Sequence, residues 1–124
     1  MGKKVLIVDD SPVSRMIVKK CLPKGGDFEV FEAGDGREGL EKFKSVTPDV
    51  TFLDLTMPVM DGFQALEEMK KENPAAVVIV LTADIQQKTV ARVMAAGAAM
   101  VVPKPPSAEI IEESLAKADS LAKK

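Results

Sequence analysis

The 124-residue chain contains no histidine, tryptophan or tyrosine, and it has one cysteine. The absence of histidine excludes a histidine nucleophile, a histidine metal site and a phosphohistidine carrier. Without tryptophan and tyrosine, an aromatic box for a cofactor or a nucleobase is not expected. Cys21 cannot form an internal disulfide, which suits a reducing cytoplasm, and its place in a helical pattern predicts a buried structural thiol.

Long apolar runs and an excess of one charge are missing as well. No stretch approaches the roughly 20 apolar residues of a transmembrane helix, and the start MGKKVLIVDD is not organised as a signal peptide. The net charge is −2 and the lysines are spread along the chain, so no basic face for nucleic acid is expected. We therefore expect a cytoplasmic protein that binds neither a membrane nor nucleic acid.

What the chain does have is a regular alternation of strand-like and helix-like segments. Apolar residues make up 46%, enough for one domain with a core. The segments rich in Val and Ile that predict strands are KVLIVDD, FEVFEA, VTFLD, VVIVLT and AMVVPK. Amphipathic stretches between them predict a (βα)₅ domain of the α/β class, with a parallel sheet and helices on both faces. We expect residues 1–124 to be one domain with no output domain, and the alternating second strand to be an edge.

Local signals predict where several helices begin. Ser11 before Pro12 predicts an N-cap and the first residue of the first helix. Asp61 is expected to begin the third helix and Ser107 to cap the last. The apolar stripe predicted for the first helix comprises Val13, Met16, Ile17 and Cys21.

Polar residues follow four of the five predicted strands, namely Asp9 with Asp10, Asp54, Thr82 and Lys104. Taken singly, each is an ordinary strand-end residue. In a parallel sheet the carboxyl ends share one edge, so the set is expected to converge in a cleft. Clustered carboxylates repel one another unless a cation neutralises them. Mg²⁺ is the natural candidate, since zinc and iron favour histidine or cysteine. A lysine and a hydroxyl suit phosphoryl oxygens, and a carboxylate can accept a phosphoryl group.

The chain also carries a set of short motifs in a fixed order. They are VDDS from Val8, D-x-x-M-P-x-M-D-G from Asp54, LTA from Leu81, GA from Gly97 and KP from Lys104. With these motifs the chain resembles, over nearly its whole length, the receiver domain of two-component response regulators, in particular the stand-alone chemotaxis type. The resemblance implies a flavodoxin-like, doubly wound sheet of five strands in the order 2-1-3-4-5.

The resemblance also implies roles in phosphoryl transfer. Asp54 would be the phosphoacceptor, Thr82 would hydrogen-bond the phosphoryl group, and Lys104 would pair with it. The Lys104–Pro105 peptide bond would be cis. The protein would catalyse only its own phosphorylation and dephosphorylation, so it would not be an enzyme acting on other substrates.

The implied metal ion is Mg²⁺. Asp10 and Asp54 would ligate it through their side chains, Thr56 through its backbone carbonyl, and Asp9 through water. Pro58 and Gly62 would shape the loop beneath this site.

The implied partners are proteins. A sensor histidine kinase or phosphotransfer protein would donate the phosphoryl group, and its docking surface would comprise Pro12, Val13, Met16 and Pro105. A downstream target would bind the face formed by the fourth helix, fifth strand and fifth helix, which includes Gln87, Arg92 and Val101. The protein is expected to be a monomer.

The sequence departs from the family on the fifth strand. Val101 stands where the family usually has Tyr or Phe, so the ring movement that accompanies phosphorylation in the family is not expected here. Asp84 and Thr56 occupy the two variable positions that border the site. One alternative is a degenerate receiver that binds proteins independently of phosphorylation. The other is a small phosphatase of the haloacid dehalogenase type, which Thr56 disfavours because those enzymes have an acid/base Asp there.

Overall fold

The computed structural model describes residues 3–23, 25–55, 62–83 and 85–122, which form alternating strands and helices. The strands are β1 (Lys3–Val8), β2 (Phe28–Ala33), β3 (Val50–Asp54), β4 (Val78–Thr82) and β5 (Met100–Pro103). The helices are α1 (Pro12–Cys21), α2 (Gly36–Val46), α3 (Gly62–Glu72), α4 (Gln87–Ala95) and α5 (Ala108–Ala122). The (βα)₅ prediction is confirmed.

The strands form one parallel sheet in the order β2-β1-β3-β4-β5. This is the order that the resemblance implies, and its switch point lies between β1 and β3. The alternating strand β2 is an edge and is only half-buried, as expected. Pro103 ends the other edge strand, where a residue without a backbone N–H is tolerated.

Helices cover both faces of the sheet. On one face, side chains of β1 and β3 such as Leu6 and Leu53 pack with Phe43 of α2 and Leu66 of α3. On the other face, Ile7 and Phe52 pack with residues of α1 and α5. Burial of alternate residues on opposite faces explains why the central strands are apolar at nearly every position.

Helix α1 begins as predicted but buries a different face. The Ser14 N–H donates to the Ser11 hydroxyl at 3.2 Å, which confirms the N-cap. Val18 is buried, whereas Val13 is 65% and Met16 48% exposed. At about 100° per residue, both lie on the side of the helix opposite Val18, so the predicted stripe is wrong at these two positions. Cys21 is only partly buried, which corrects the expected burial of this thiol.

The last helix also begins as the sequence indicates, because the Ile110 N–H donates to the Ser107 hydroxyl at 3.2 Å. The expected helix start at Asp61 lies outside the described residues. Within the described ranges, no helix combines the length and the apolar character needed to cross a bilayer.

Candidate functional site

Asp9 and Asp10 follow β1 at the carboxyl edge of the sheet. Asp9 is 1% exposed, and its carboxylate accepts the Ser11 N–H at 2.9 Å. The backbone N–H of Asp9 donates to the Ala33 carbonyl at 3.0 Å, which continues the β1–β2 ladder by one residue. Asp10 is exposed. The first carboxylate is therefore fixed from within the fold, and the second faces solvent.

Asp54 is the last residue of β3, the strand next to β1. It is 6% exposed. Close behind it lies Gly62, whose N–H donates to the Leu55 carbonyl at 2.8 Å. A Cβ on Gly62 would lie 2.2 Å from the carbonyl oxygen of Asp54. The chain can return to the tip of β3 this closely only because position 62 is glycine.

Lys104 reaches both buried carboxylates from the segment after β5. Its Nζ lies 2.8 Å from Oδ2 of Asp9 and 3.1 Å from Oδ1 of Asp54. The Lys104–Pro105 peptide bond is cis, as the resemblance implies. The backbone N–H of Lys104 donates to the Thr82 carbonyl at 3.0 Å, where Pro103 has no N–H to offer.

Thr82 ends β4, the strand beside β3, and is 5% exposed. The residues predicted after four different strands are thus brought to one edge of the sheet. The carboxylates of Asp9, Asp10 and Asp54 each place an oxygen within 4.8 Å of the others.

The charges of this cluster are unbalanced. Burial, and next the negative charge of Asp9, raise the pKa of Asp54 above its ordinary value, although Lys104 opposes the shift. Burial alone would lower the pKa of Lys104, but hydrogen bonds and charges from Asp9 and Asp54 together raise it. Among the described residues of the cluster, one ammonium group serves two buried carboxylates while a third carboxylate lies nearby, so these residues have a deficit of positive charge.

The cluster fits a divalent cation that prefers oxygen ligands. Its donors are carboxylate oxygens, which suit Mg²⁺. Imidazole is absent from the chain, and Cys21 is not part of the cluster, so zinc and other metals that prefer nitrogen or sulfur are disfavoured. Asp9, Asp10 and Asp54 are the described residues that could hold Mg²⁺.

Four residues named from the sequence have no placement here. Thr56, Pro58, Asp61 and Asp84 lie outside the described residues. The backbone carbonyl of Thr56 as a metal ligand therefore stays a prediction.

Arg15 is a neighbour of the site that the sequence did not reveal. Its Nη1 donates to the backbone carbonyl of Asp9 at 2.6 Å, and its Nε donates to Oε1 of Glu32 at 2.9 Å. Hydrogen bonds from Lys19 and Arg15 hold the pKa of Glu32 below its usual value despite partial burial. The available signal was a basic residue in the first helix and a glutamate on the adjoining edge strand.

A groove of about 320 Å³ opens beside Lys104, between α1 and the segment that precedes α5. Its apolar lining includes Ile17, Leu81 and Pro105, together with Pro106. The groove therefore places an apolar surface next to the polar cluster.

The fold and the cluster agree with what comparison with known proteins finds. Residues 5–116 match the response regulator receiver domain, and the chain belongs to this family. It is 42% identical over 117 residues to the chemotaxis protein CheY of Thermotoga maritima, a match that covers 94% of this chain and 98% of that protein. The chain is a receiver domain of the CheY type.

Solved structures show the same architecture. A CheY-like receiver domain protein from Methanospirillum hungatei matches with a TM-score of 0.89 at 28% identity, over 99% of this chain and 98% of that one. CheY in a CheX–CheY–BeF3–Mg complex from Borrelia burgdorferi matches with a TM-score of 0.85 at 28% identity. That match covers 91% of this chain and 86% of the other.

Proposed function

We propose that this receiver accepts a phosphoryl group on Asp54 and signals through a phosphorylation-dependent change of its protein-binding surface. The observation that carries the proposal is the convergence of three carboxylates and the Lys104 ammonium at one edge of the sheet. Such a set combines a nucleophile, a cation site and a positive group for the transferred phosphoryl oxygens.

In the proposed reaction, an oxygen of the Asp54 carboxylate forms a bond to phosphorus. The bond between phosphorus and the donor's nitrogen or oxygen breaks, and the leaving group keeps the electron pair. Lys104 and Thr82 would bind the phosphoryl oxygens. Mg²⁺, held by Asp10 and Asp54, by the Thr56 carbonyl and by Asp9 through water, would neutralise negative charge during the transfer.

The proposed donor is a histidine kinase or a phosphotransfer protein. Val13 and Met16 are exposed apolar residues on α1, whose inner side lines the groove beside Lys104. Pro105 lines the same groove. We place the donor's docking surface here, with Pro12, because a donor bound at this position could reach Asp54.

The proposed output surface is the face formed by α4, β5 and α5, which includes Gln87, Arg92 and Val101. The relative from Borrelia burgdorferi forms a complex with CheX, and the relative from Thermotoga maritima is a chemotaxis protein. We therefore propose a role in chemotaxis. Since Val101 is a half-buried aliphatic residue, the change at this surface would not depend on the movement of an aromatic ring.

We also propose that the protein acts as a cytoplasmic monomer and that its catalysis is limited to its own phosphorylation and dephosphorylation. A phosphatase of the haloacid dehalogenase type is the less favoured candidate, because Thr56 stands at the position of that family's acid/base Asp. Repeated turnover of a phosphate monoester would support it.

The test is the intact mass of the protein after incubation with acetyl phosphate, with and without Mg²⁺. We expect a Mg²⁺-dependent gain of one phosphoryl group in the wild type and none in Asp54→Asn. Asp119→Asn is the matched control, since Asp119 pairs with Lys3 at the opposite end of β1. No gain in the wild type, while a known receiver is modified, would contradict the proposal and favour a phosphorylation-independent binding module.

A further inference from the structure

Arg15 links three parts of the chain at the carboxyl edge of the sheet. One guanidinium nitrogen donates to the backbone carbonyl of Asp9, and another donates to Glu32 on β2. Glu32 also accepts Lys19 Nζ at 2.9 Å. The Arg15 side chain is 19% exposed, so most of it is shielded from water.

The carbonyl that Arg15 holds belongs to the peptide between Asp9 and Asp10. Other contacts hold Asp9 on its remaining sides, namely the Ala33 carbonyl, the Ser11 N–H and Lys104 Nζ. The side chain of Asp10 is exposed, so packing in the core does not fix its orientation. The orientation of its carboxylate relative to Asp54 therefore depends on the peptide that Arg15 fixes.

We infer that Arg15, itself held by Glu32, is a positioning residue for a divalent cation bound by Asp9, Asp10 and Asp54. The inference rests on the proposed function, since it presupposes that these carboxylates bind a cation. Arg15 does not touch the cation. It fixes the backbone between two of the ligands, as hydrogen-bond partners of metal ligands commonly do.

Arginine suits this role better than lysine. Its planar guanidinium donates in two directions at once, so a single side chain can bridge a carbonyl and a carboxylate. A lysine at position 15 would keep the charge, but its single ammonium group could not reproduce the two hydrogen bonds that the planar guanidinium makes in fixed directions. Lys19 is the matched control for Arg15. It also binds Glu32, but it makes no described contact with Asp9.

The direction in which the Mg²⁺ affinity changes when Arg15 is replaced distinguishes a positioning role from an effect of its charge. Arg15 carries a positive charge near a cation site, so removing that charge would by electrostatics alone strengthen cation binding. Loss of positioning would weaken it. Arg15→Met and Arg15→Lys should therefore both weaken binding, whereas Lys19→Met should leave it equal or slightly tighter.

The experiment is calorimetric titration of the full chain with MgCl₂, since the chain has no tryptophan or tyrosine to report binding by fluorescence. We expect Arg15→Met to weaken Mg²⁺ binding about tenfold, the lower limit of such effects at metal sites. Arg15→Lys should fall between Arg15→Met and the wild type. Thermal unfolding without Mg²⁺ checks that each variant is folded, and Arg15→Lys decides the question if Arg15→Met does not fold.

Phosphorylation by acetyl phosphate gives a second readout. The Mg²⁺ concentration for half-maximal labelling should rise in Arg15→Lys, while the rate at saturating Mg²⁺ should approach the wild-type rate. Unchanged Mg²⁺ affinity in both Arg15 variants, or an equal loss in Lys19→Met, would overturn the inference and leave the proposed function intact. Failure of the wild type to bind Mg²⁺ would overturn both.

Discussion

Gly62 shows how one residue without a side chain allows the site to form. Its position is set by the backbone of β3, not by neighbouring side chains, since the nearest atoms to an added Cβ would be Asp54 O at 2.2 Å and Leu55 Cα at 2.4 Å. Neither atom can move without moving the strand end that presents the Asp54 carboxylate. Packing at this position therefore couples the stability of the fold to the geometry of the site.

We expect Gly62→Ala to lower the free energy of unfolding by about 2 to 3 kcal/mol. Alanine is the better helix former at the start of α3, but that advantage is at most about 1 kcal/mol and the clash outweighs it. Urea unfolding followed by circular dichroism measures the change. The control is Gly25→Ala, because nothing lies within 4 Å of a Cβ there, and it should be neutral or stabilising by up to about 1 kcal/mol. Equal stabilities of the two variants would contradict this account.

At the scale of elements, Lys70 joins α3 to the segments around it. Its Nζ donates to the carbonyls of Pro74 and Ala76, both at 2.8 Å, in the connection from α3 to β4. Its aliphatic stem lies against Gly97, which has a φ of +110° between α4 and β5. Burial lowers the pKa of Lys70, which is consistent with a partly desolvated ammonium that substitutes carbonyl oxygens for water.

Lys70→Met should reduce the free energy of unfolding by about 1 to 2 kcal/mol. Methionine keeps an apolar stem over Gly97 but leaves the two carbonyls without this donor. Lys71→Met is the control, since Lys71 is 76% exposed and lies 3.7 Å from Glu68 in a surface pair, which is worth about 0.5 kcal/mol or less. The same denaturant titration compares the two variants. A similar loss in both would show that the carbonyl contacts of Lys70 add nothing to the link between α3 and β4.

A second contact between elements lies close to the proposed output surface. The Arg92 guanidinium of α4 lies 3.8 Å from the centre of the Phe63 ring. Phe63 follows Gly62, so α4 is joined to the residues next to the tip of β3. This contact shows that an aromatic residue does border α4, although Val101 of β5 offers none.

For the whole molecule, the fold was predictable from the sequence because the hydrophobic periodicity of each segment agrees with the residues that begin and end it. Apolar runs, capping residues and short connections leave few topologies other than a parallel (βα)₅ sheet. The convergence of the strand-end residues followed from the same reasoning, since parallel strands share their carboxyl edge. Asp54 and Lys104, which are far apart in the chain, meet in the structure as this reasoning predicts.

The features that the sequence did not reveal are the orientation of α1 against the sheet and the reach of one long side chain. The apolar residues of α1 extend over more than half of its circumference, so their spacing did not decide which of them face the sheet. Val13 and Met16 were grouped with Ile17 and Cys21 in one stripe, although both are exposed. The role of Arg15 depends on two partners, one of them a backbone carbonyl, and no periodicity encodes the reach of a long side chain across strand ends.

The charge deficit of the cluster has a consequence for the stability of the whole molecule. The native pKa of Asp54 is raised, chiefly by burial and next by Asp9, so the unfolded state releases this proton more readily than the native state. The stability contributed by this group therefore falls as pH rises from the unfolded pKa to the native pKa. At pH values above the native pKa, the ionised carboxylate of Asp54 destabilises the metal-free protein.

We therefore expect Asp54→Asn to be more stable than the wild type above the native pKa of Asp54 and without Mg²⁺, with the difference shrinking as the pH falls through that pKa. Mg²⁺ should reverse the order. A cation that binds only the native state at 100 times its dissociation constant stabilises by about 2.7 kcal/mol, and Asn replaces one of the proposed carboxylate ligands with a neutral amide. Calorimetric unfolding across this pH range, with MgCl₂ or with NaCl of equal ionic strength, separates binding from screening. If NaCl stabilises the wild type as much as MgCl₂ does, or if Asp54→Asn gains as much from MgCl₂ as the wild type, then the carboxylates do not form a specific cation site.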